Sequence, residues 1–160
     1  NTKIPFIWSE YETFSGADLN IGGKIVEEDN KGADFVGGIK VVEGDNKGLN
    51  LVGLYKEVGG DNKGADFVGL FKGVGGDNKG LSLTGGINYF GKVNEYSISY
   101  ATIANIVKEK GENSFGLQIG LYNKAGKQYY PIINVWGIKN IPKLIKKAFK
   151  KKSLEAELEK

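Results

Sequence analysis

The sequence of 160 residues contains no cysteine, histidine or methionine, and all 22 of its basic residues are lysine. The missing cysteine and histidine exclude disulfides, thiol nucleophiles, histidine-based acid–base pairs and zinc sites of the common kind. An enzyme built from this chain would have to use Asp, Glu, Lys, Tyr, Ser and Thr alone. The composition therefore favours a protein with no catalytic residues, no bound metal and no cofactor.

Two further absences bear on the cellular location. The chain begins at Asn1 instead of a methionine, which predicts a processed N-terminus. The lack of cysteine is compatible with export from the cell. No run of the sequence approaches the roughly 18 to 20 apolar residues that a membrane-spanning helix requires. We expect an extracellular, cell-surface or outer-envelope protein.

A repeat of sixteen residues dominates the chain. The motif Asp-Asn-Lys-Gly occurs at 29–32, 45–48, 61–64 and 77–80, and the units that follow read GADFVGGIKVVEGDNK, GLNLVGLYKEVGGDNK and GADFVGLFKGVGGDNK. Weaker copies extend the pattern over residues 16–126. Such repetition is typical of a scaffold that stacks one supersecondary unit many times.

The repeated motif has the composition of a tight turn. Asp at the first position and Gly at the fourth favour a type I turn followed by a glycine bulge, which is a three-residue hairpin loop. The register that this loop sets would pair Val42 with Val52 and Tyr55 with Phe71, so that large residues meet large ones. The residues assigned to these structural turns are Asp45, Gly48, Asp61, Gly64, Asp77 and Gly80.

These hairpins predict an all-β fold in which the tandem repeats form an antiparallel β-meander, closed or rolled into a barrel. Closure is expected because long, equal strands would otherwise leave open edges. The β-repeat domain covers residues 1–137. Its nine predicted strands lie near 4–14, 18–27, 33–43, 49–59, 65–75, 81–91, 95–107, 115–124 and 128–137.

A β-solenoid remains the alternative fold, because glycines recur where a coil would turn its corners. Stacking the repeats in register would place Lys31, Lys47 and Lys63 above one another at about 4.8 Å. Like charges directly opposite each other destabilise a sheet, so this objection favours the meander.

The alternation of residues along each strand separates two faces. One face carries Phe35 and Ile39 and is the better hydrophobic core, whereas the other carries Val42, Lys56 and Lys72 and would face solvent or a wet lumen. An outer-membrane-type β-barrel with its aromatic face toward lipid is a variant of this arrangement. A barrel that holds a small apolar ligand is another.

Two segments near the end of the repeats, FGLQIGLYNK at 115–124 and YPIINVWG at 130–137, carry a family resemblance. The chain resembles bacterial surface-repeat proteins with tandem β repeats of the type G-L-Q-L-G-L-x-N, whose arrays often close with a Pro-Ile-Ile-Asn-Trp-like segment. The resemblance implies a location at the cell surface or envelope and no established enzymatic role, and it supplies no catalytic residues. We therefore expect a non-enzymatic structural or interaction protein.

The C-terminal segment 138–160 differs from the repeats, because its first part, 138–152, contains seven lysines and no acidic residue. Apolar residues recur there at helical spacing, which predicts an amphipathic helix surrounded by lysine. Such a helix suits an anionic membrane surface. The candidate membrane-surface residues are Lys143, Leu144, Ile145, Lys146, Lys147, Phe149, Lys150 and Lys151.

Other roles for this segment stay open at the level of sequence. The helix could cap an open end of the barrel and leave its lysines in water. Polylysine also neutralises phosphate, but without arginine we expect no specific reading of nucleic acid. For the repeat domain, self-association between copies of the chain also stays possible.

Overall fold

The computed structural model describes residues 8–142 and shows a parallel β-solenoid of about seven turns. A short 3-10 turn, Ile138–Asn140, follows the last strand. The strands are β1 (Trp8–Tyr11), β2 (Phe14–Asn20), β3 (Gly23–Val26), β4 (Asn30–Val36), β5 (Ile39–Val42), β6 (Asn46–Val52), β7 (Tyr55–Val58), β8 (Asn62–Val68), β9 (Phe71–Thr84), β10 (Ile87–Val93), β11 (Tyr96–Ala101), β12 (Ala104–Lys110), β13 (Phe115–Ala125) and β14 (Gln128–Trp136).

Each sixteen-residue repeat forms one coil and contributes one strand to each of two layers. The short-strand layer contains β1, β3, β5, β7, the start of β9, β10, β12 and the end of β13. The long-strand layer contains β2, β4, β6, β8, the second part of β9, β11 and the start of β13. Strands β9 and β13 continue through a corner and belong to both layers.

The predicted antiparallel meander and barrel are wrong, whereas the all-β class and the repeat are confirmed. Strands of successive repeats pair in parallel, so Val42 lies beside Val58 and not beside Val52. At 45–48 the chain does not reverse, because Asp45 leads directly into β6. Gly48 lies inside that strand with φ 137°, a conformation that glycine adopts without a steric penalty.

The repulsion expected between stacked lysines does not prevent the solenoid, because the side chains concerned are exposed to solvent. Lys31, Lys47 and Lys63 do lie above one another in register, as the alternative fold required. In water the repulsion of two charges 4 Å apart is only about 1 kcal/mol, and long lysine side chains can spread apart. The last lysine of this column, Lys79, forms an ion pair with Glu95.

The two strand faces are the reverse of the prediction. Phe35 and Ile39, assigned to the core, are 43% and 37% exposed, whereas Lys56 and Lys72 are completely buried. The apolar part of the interior consists of valine columns, one of which runs through Val26, Val42, Val58 and Val74. A ranking of the two faces by hydrophobicity placed the lysines outside, because it assumed that they must be hydrated. In the structure buried carboxylates take the place of water as their partners.

Both ends of the described coil stack are closed by aromatic side chains. At the first coil, Tyr11 and Phe14 occupy the inward positions that Val26 and Asn30 hold one coil later. At the last coil, β14 runs antiparallel to β13 and ends the parallel stacking. Here the ring of Trp136 covers a glycine of β13.

The C-terminal segment lies largely beyond the described residues. Its start is tied to the last coil by Asn140, whose Nδ2 donates to the carbonyls of Glu112 and Ser114 at 3.1 and 3.0 Å. The described beginning of the predicted amphipathic helix is the 3-10 turn, and residues 143–160 fall outside the description. Within residues 8–142, no helix has the length and apolarity needed to cross a membrane.

Glycines with a positive φ lie in register in successive coils, as Gly16, Gly32 and Gly48 do. Replacing them by alanine should reduce the free energy of unfolding by amounts that depend on the space around each one. Gly16 and Gly48 both have positive φ, but a Cβ at Gly16 meets open space and one at Gly48 would lie 1.9 Å from the carbonyl oxygen of Gly32. Gly16→Ala should therefore cost only backbone strain, about 1 to 3 kcal/mol. Gly48→Ala should cost about 1 to 3 kcal/mol more, because it adds overpacking against the next coil. Urea denaturation of both variants measures this difference, and equal losses would contradict parallel stacking at this column.

Candidate functional site

A column of four buried lysines runs through the interior of the solenoid. The members of this inner lysine column are Lys24, Lys40, Lys56 and Lys72, each with none of its surface exposed. They occupy the same position of successive coils and enter the interior from the short-strand layer. An ammonium group in such a place needs charge neutralisation and hydrogen bonds, since unpaired buried charges are very costly.

Aspartates of the long-strand layer offset much of this charge: Lys24 pairs with Asp18 at 3.2 Å, and Asp34 and Asp66 each lie between two lysines. Asp34 accepts from Lys24 at 2.6 Å and also pairs with Lys40. Asp66 accepts from Lys56 at 2.5 Å and from Lys72 at 2.6 Å. Both carboxylates are fully buried. The ion pairs therefore cross the interior and tie the two layers together.

Amide side chains complete the network. Asn30 donates to Asn46, Asn46 to Asn62 and Asn62 to Asn78 along one column, at 2.9, 2.9 and 3.0 Å. The amide oxygens of this column also accept from the inner lysines, as in the 3.0 Å bond from Lys56 to Asn62. Asn50 has the same position in its coil as Asp34 and Asp66 have in theirs. It lies between the two carboxylates and donates to Asp66 at 2.7 Å.

Burial changes the acidity of these groups in a consistent direction. Burial lowers the pKa of Lys40 to about 7 and that of Lys72 to about 8, and each nearby carboxylate only partly offsets the effect. The pKa of Lys56 is lowered for the same reason. Burial alone would raise the pKa of Asp66, but Lys56 and Lys72 outweigh it and hold that pKa below its usual value.

A lysine with a pKa near neutrality can act as a nucleophile or base in an accessible site. Here the side chains have no exposed surface and their nitrogens are used by Asp, Asn and Ser acceptors, as in the 2.5 Å bond from Lys72 to Ser82. In this structure the four ammonium groups form the ion pairs and hydrogen bonds that join the two layers.

The turn aspartates of the repeats have a separate structural role. The backbone N–H of Asp45 donates to the carboxylate of Asp29 at 3.0 Å, and the same bond links Asp61 to Asp45 and Asp77 to Asp61 at 2.7 and 2.8 Å. Each carboxylate thus binds the corner of the next coil. Within residues 8–142 no group of three or more acidic side chains is arranged to hold a metal ion.

The remaining turn residues and the tail residues are placed as follows. Gly48, Gly64 and Gly80 lie inside β6, β8 and β9 with φ of 137°, 142° and 120°, one above another. They allow the close approach of successive coils and do not form hairpin loops. The candidate membrane-surface residues, Lys143 to Lys151, are outside the described residues.

An apolar groove follows one outer corner of the solenoid. Its wall consists of outward side chains from six successive coils, and its floor is formed largely by glycines at the ends of the long strands. We call this feature the corner groove; its volume is about 830 Å³. The wall residues are Leu19, Phe35, Leu51, Phe67, Leu83 and Tyr100, and the floor glycines are Gly37, Gly53, Gly69 and Gly85.

Sequence reasoning missed both the inner network and the groove, although their signals recur every sixteen residues. The interval from Lys24 to Asp34 is repeated from Lys40 to Asn50 and from Lys56 to Asp66. Similarly, Phe35 stands two positions before Gly37, and this spacing recurs in the later coils. Read as a parallel stack, these spacings would have indicated both features.

Removal of one buried carboxylate should destabilise the fold strongly. Asp66→Asn keeps the size of the side chain, and Asn50 shows that an amide fits this column, but the change leaves Lys56 and Lys72 without their anion. We expect a loss of about 3 to 5 kcal/mol in the free energy of unfolding. The matched change Asp61→Asn, in a half-buried corner where the amide oxygen can still accept, should cost under about 0.5 kcal/mol. Equal losses in urea denaturation would show that the buried ion pairs do not support the fold.

The lowered lysine pKa values predict unusual stability at alkaline pH. Between about pH 7 and 10 the folded chain releases protons from Lys40 and Lys72 that the unfolded chain retains. Because the unfolded state then binds more protons, stability rises with pH across this window. Toward acid, the carboxylates Asp34 and Asp66, whose pKa values are lowered, lose their contribution as they become protonated. Chemical denaturation from pH 5 to pH 10 measures the trend; a decline above pH 7 would contradict it.

The chain matches no protein-family model, and it has no significant match among curated proteins or solved structures.

Proposed function

We propose that this chain is a non-enzymatic structural and interaction protein of a bacterial cell surface or envelope. The observation that carries the proposal is the distribution of polarity across the solenoid. The charged side chains of the interior bind one another, and apolar side chains occupy the outside. Such an arrangement suits contact with other molecules better than it suits chemistry.

The outward surface of the long-strand layer supports an interaction role. Two neighbouring columns of this surface are apolar, and Leu49 and Leu51 of β6 represent them, each 38% exposed. Exposed apolar columns that continue over several coils exceed the scattered apolar residues of an ordinary protein surface. Repeat proteins commonly use such extended surfaces for binding.

The location at the surface or envelope rests on the absence of cysteine and on the resemblance to bacterial surface-repeat proteins, which covers roughly residues 16–137 and is carried by the motifs at 115–124 and 130–137. The basic segment 138–152 supplies an attachment to anionic lipid, since each lysine near headgroups contributes about 1 kcal/mol. This attachment would hold the solenoid at the membrane surface.

Binding to vesicles tests the attachment. The full-length variant Lys146→Gln/Lys147→Gln/Lys150→Gln should bind anionic vesicles about a hundredfold more weakly than the unchanged chain, because three headgroup contacts are lost. Co-sedimentation without detergent, at low and high salt and on neutral and anionic vesicles, measures the effect.

The matched control is Lys31→Gln/Lys47→Gln/Lys63→Gln, which removes the same charge from the exposed lysine column of the solenoid. This control should retain binding. If both variants lose it equally, the attraction depends only on net charge, and if the unchanged chain does not bind, the attachment proposal fails.

A further inference from the structure

We infer that the outward face of the long-strand layer binds the same face of a second copy of this chain. The product is a symmetric dimer whose two solenoids lie side by side and run parallel. The inference rests on the interaction role proposed above and names the partner for that surface. It does not involve the basic segment 138–152, so the dimer and the attachment to vesicles can fail separately.

The face consists of two continuous apolar columns. From β2 to β9 the strands pair in parallel without a bulge, which places outward residues directly above one another, and β11, β13 and β14 extend the columns. The first column contains Ala17, Ala33, Leu49, Ala65, Leu81, Ile98, Leu117 and Val135. The second column contains Leu19, Phe35, Leu51, Phe67, Leu83, Tyr100, Ile119 and Ile133.

The sizes of the side chains alternate from coil to coil in the middle of this face. Where the first column has alanine, the second has phenylalanine, and in the coils between them both columns have leucine. The successive pairs are Ala33 with Phe35, Leu49 with Leu51, Ala65 with Phe67, and Leu81 with Leu83. The outline of the face is therefore low beside each phenyl ring and even at each pair of leucines.

A two-fold axis parallel to the solenoid axis matches these sizes. It places each residue of the first column opposite the second-column residue of the same coil in the other copy. Ala33 then lies opposite Phe35 of the second copy, and Leu49 lies opposite Leu51. A large side chain thus meets a small one and leucine meets leucine, as close packing between two sheet faces requires.

The borders of the two columns fit the same axis. Lys31 and its equivalents in the next coils lie two positions before the first column, and Gly37 and its equivalents lie two positions after the second. The axis places each lysine opposite a glycine, so the longest outward side chain meets a position that has none. The aliphatic stem of lysine can then cover the apolar corner groove while its ammonium group stays in water.

The other face-to-face arrangement is unfavourable. A two-fold axis along the strands would run the solenoids antiparallel and place each column on its own copy. With this axis at β6, Phe35 would lie opposite Phe67 and Ala33 opposite Ala65, which overfills one column and leaves voids in the other. The exposed lysine columns would also face each other, and like charges at an interface oppose binding.

The area of the face is sufficient for a specific dimer. Eight strands about 4.8 Å apart give a length of about 38 Å, and two columns about 7 Å apart give a width of about 13 Å. Each copy therefore contributes about 500 Å², and the pair buries at least about 1,000 Å², the lower range of specific interfaces. We expect a reversible dimer with a dissociation constant in the micromolar range.

Sedimentation equilibrium of the full-length chain without detergent tests the dimer. Leu51→Glu should weaken association by about a hundredfold or more, because the symmetry buries two unpaired carboxylates. The matched control is Ile39→Glu on the short-strand layer, since Ile39 is 37% exposed and Leu51 is 38% exposed. The control should change the dissociation constant by less than about twofold. Circular dichroism and urea denaturation establish that both variants fold.

An exchange of sizes tests the symmetry. Ala33→Phe places a second phenyl ring opposite Phe35 at two equivalent sites and should weaken the dimer by about tenfold or more through overpacking. Adding Phe35→Ala restores a small residue opposite each ring, so the double variant should recover most of the lost affinity. Such compensation is expected of the parallel arrangement and not of the antiparallel one.

Several results would overturn the inference. It fails if the full-length chain stays monomeric, if its mass rises without limit as in open stacking, if Ile39→Glu is as damaging as Leu51→Glu, or if the double variant binds no better than Ala33→Phe. A monomer that binds anionic vesicles would overturn the dimer and leave the attachment standing. A dimer that binds no vesicles would do the reverse.

Discussion

The ion pairs between the inner lysines and the two buried aspartates are the interaction on which the other features depend. Parallel stacking in register places lysines on top of one another in the buried interior, where their repulsion would be severe. Asp34 and Asp66 each lie between two lysines and offset part of their charge, and Asp18 also pairs with Lys24. Without these carboxylates the sixteen-residue coil could not keep this face inside.

Burial of the charges explains the inverted polarity of the molecule. Once lysine, aspartate and asparagine fill the interior beside valine, most of the larger apolar residues point outward; Phe90, which continues the column of Val74, is an exception in a later coil. Phe35 and Phe67 therefore lie on the surface, and the glycines that permit close stacking leave a groove beside them. The composition of the core and the apolar character of the surface therefore have the same cause, which is that the lysine-bearing face of each strand points inward.

The sequence predicted the all-β class and the sixteen-residue period, because these depend on local composition and on spacing along the chain. It did not predict the direction of strand pairing. Asp-Asn-Lys-Gly is compatible with a hairpin loop and with the corner of a coil, and the positive φ of Gly48 serves both. The repulsion of stacked lysines seemed to decide the matter, but it is weak in water for Lys47 and compensated by carboxylate for Lys56.

What the sequence determined by itself is therefore a tandem array of sixteen-residue β units with no cysteine and no histidine. The choice between inside and outside was made only by the tertiary structure. Alternation along a strand identifies two faces but cannot say which one is buried when both carry apolar residues. That choice depended on whether Lys56 could reach Asp66, ten positions away in sequence and across the interior in space.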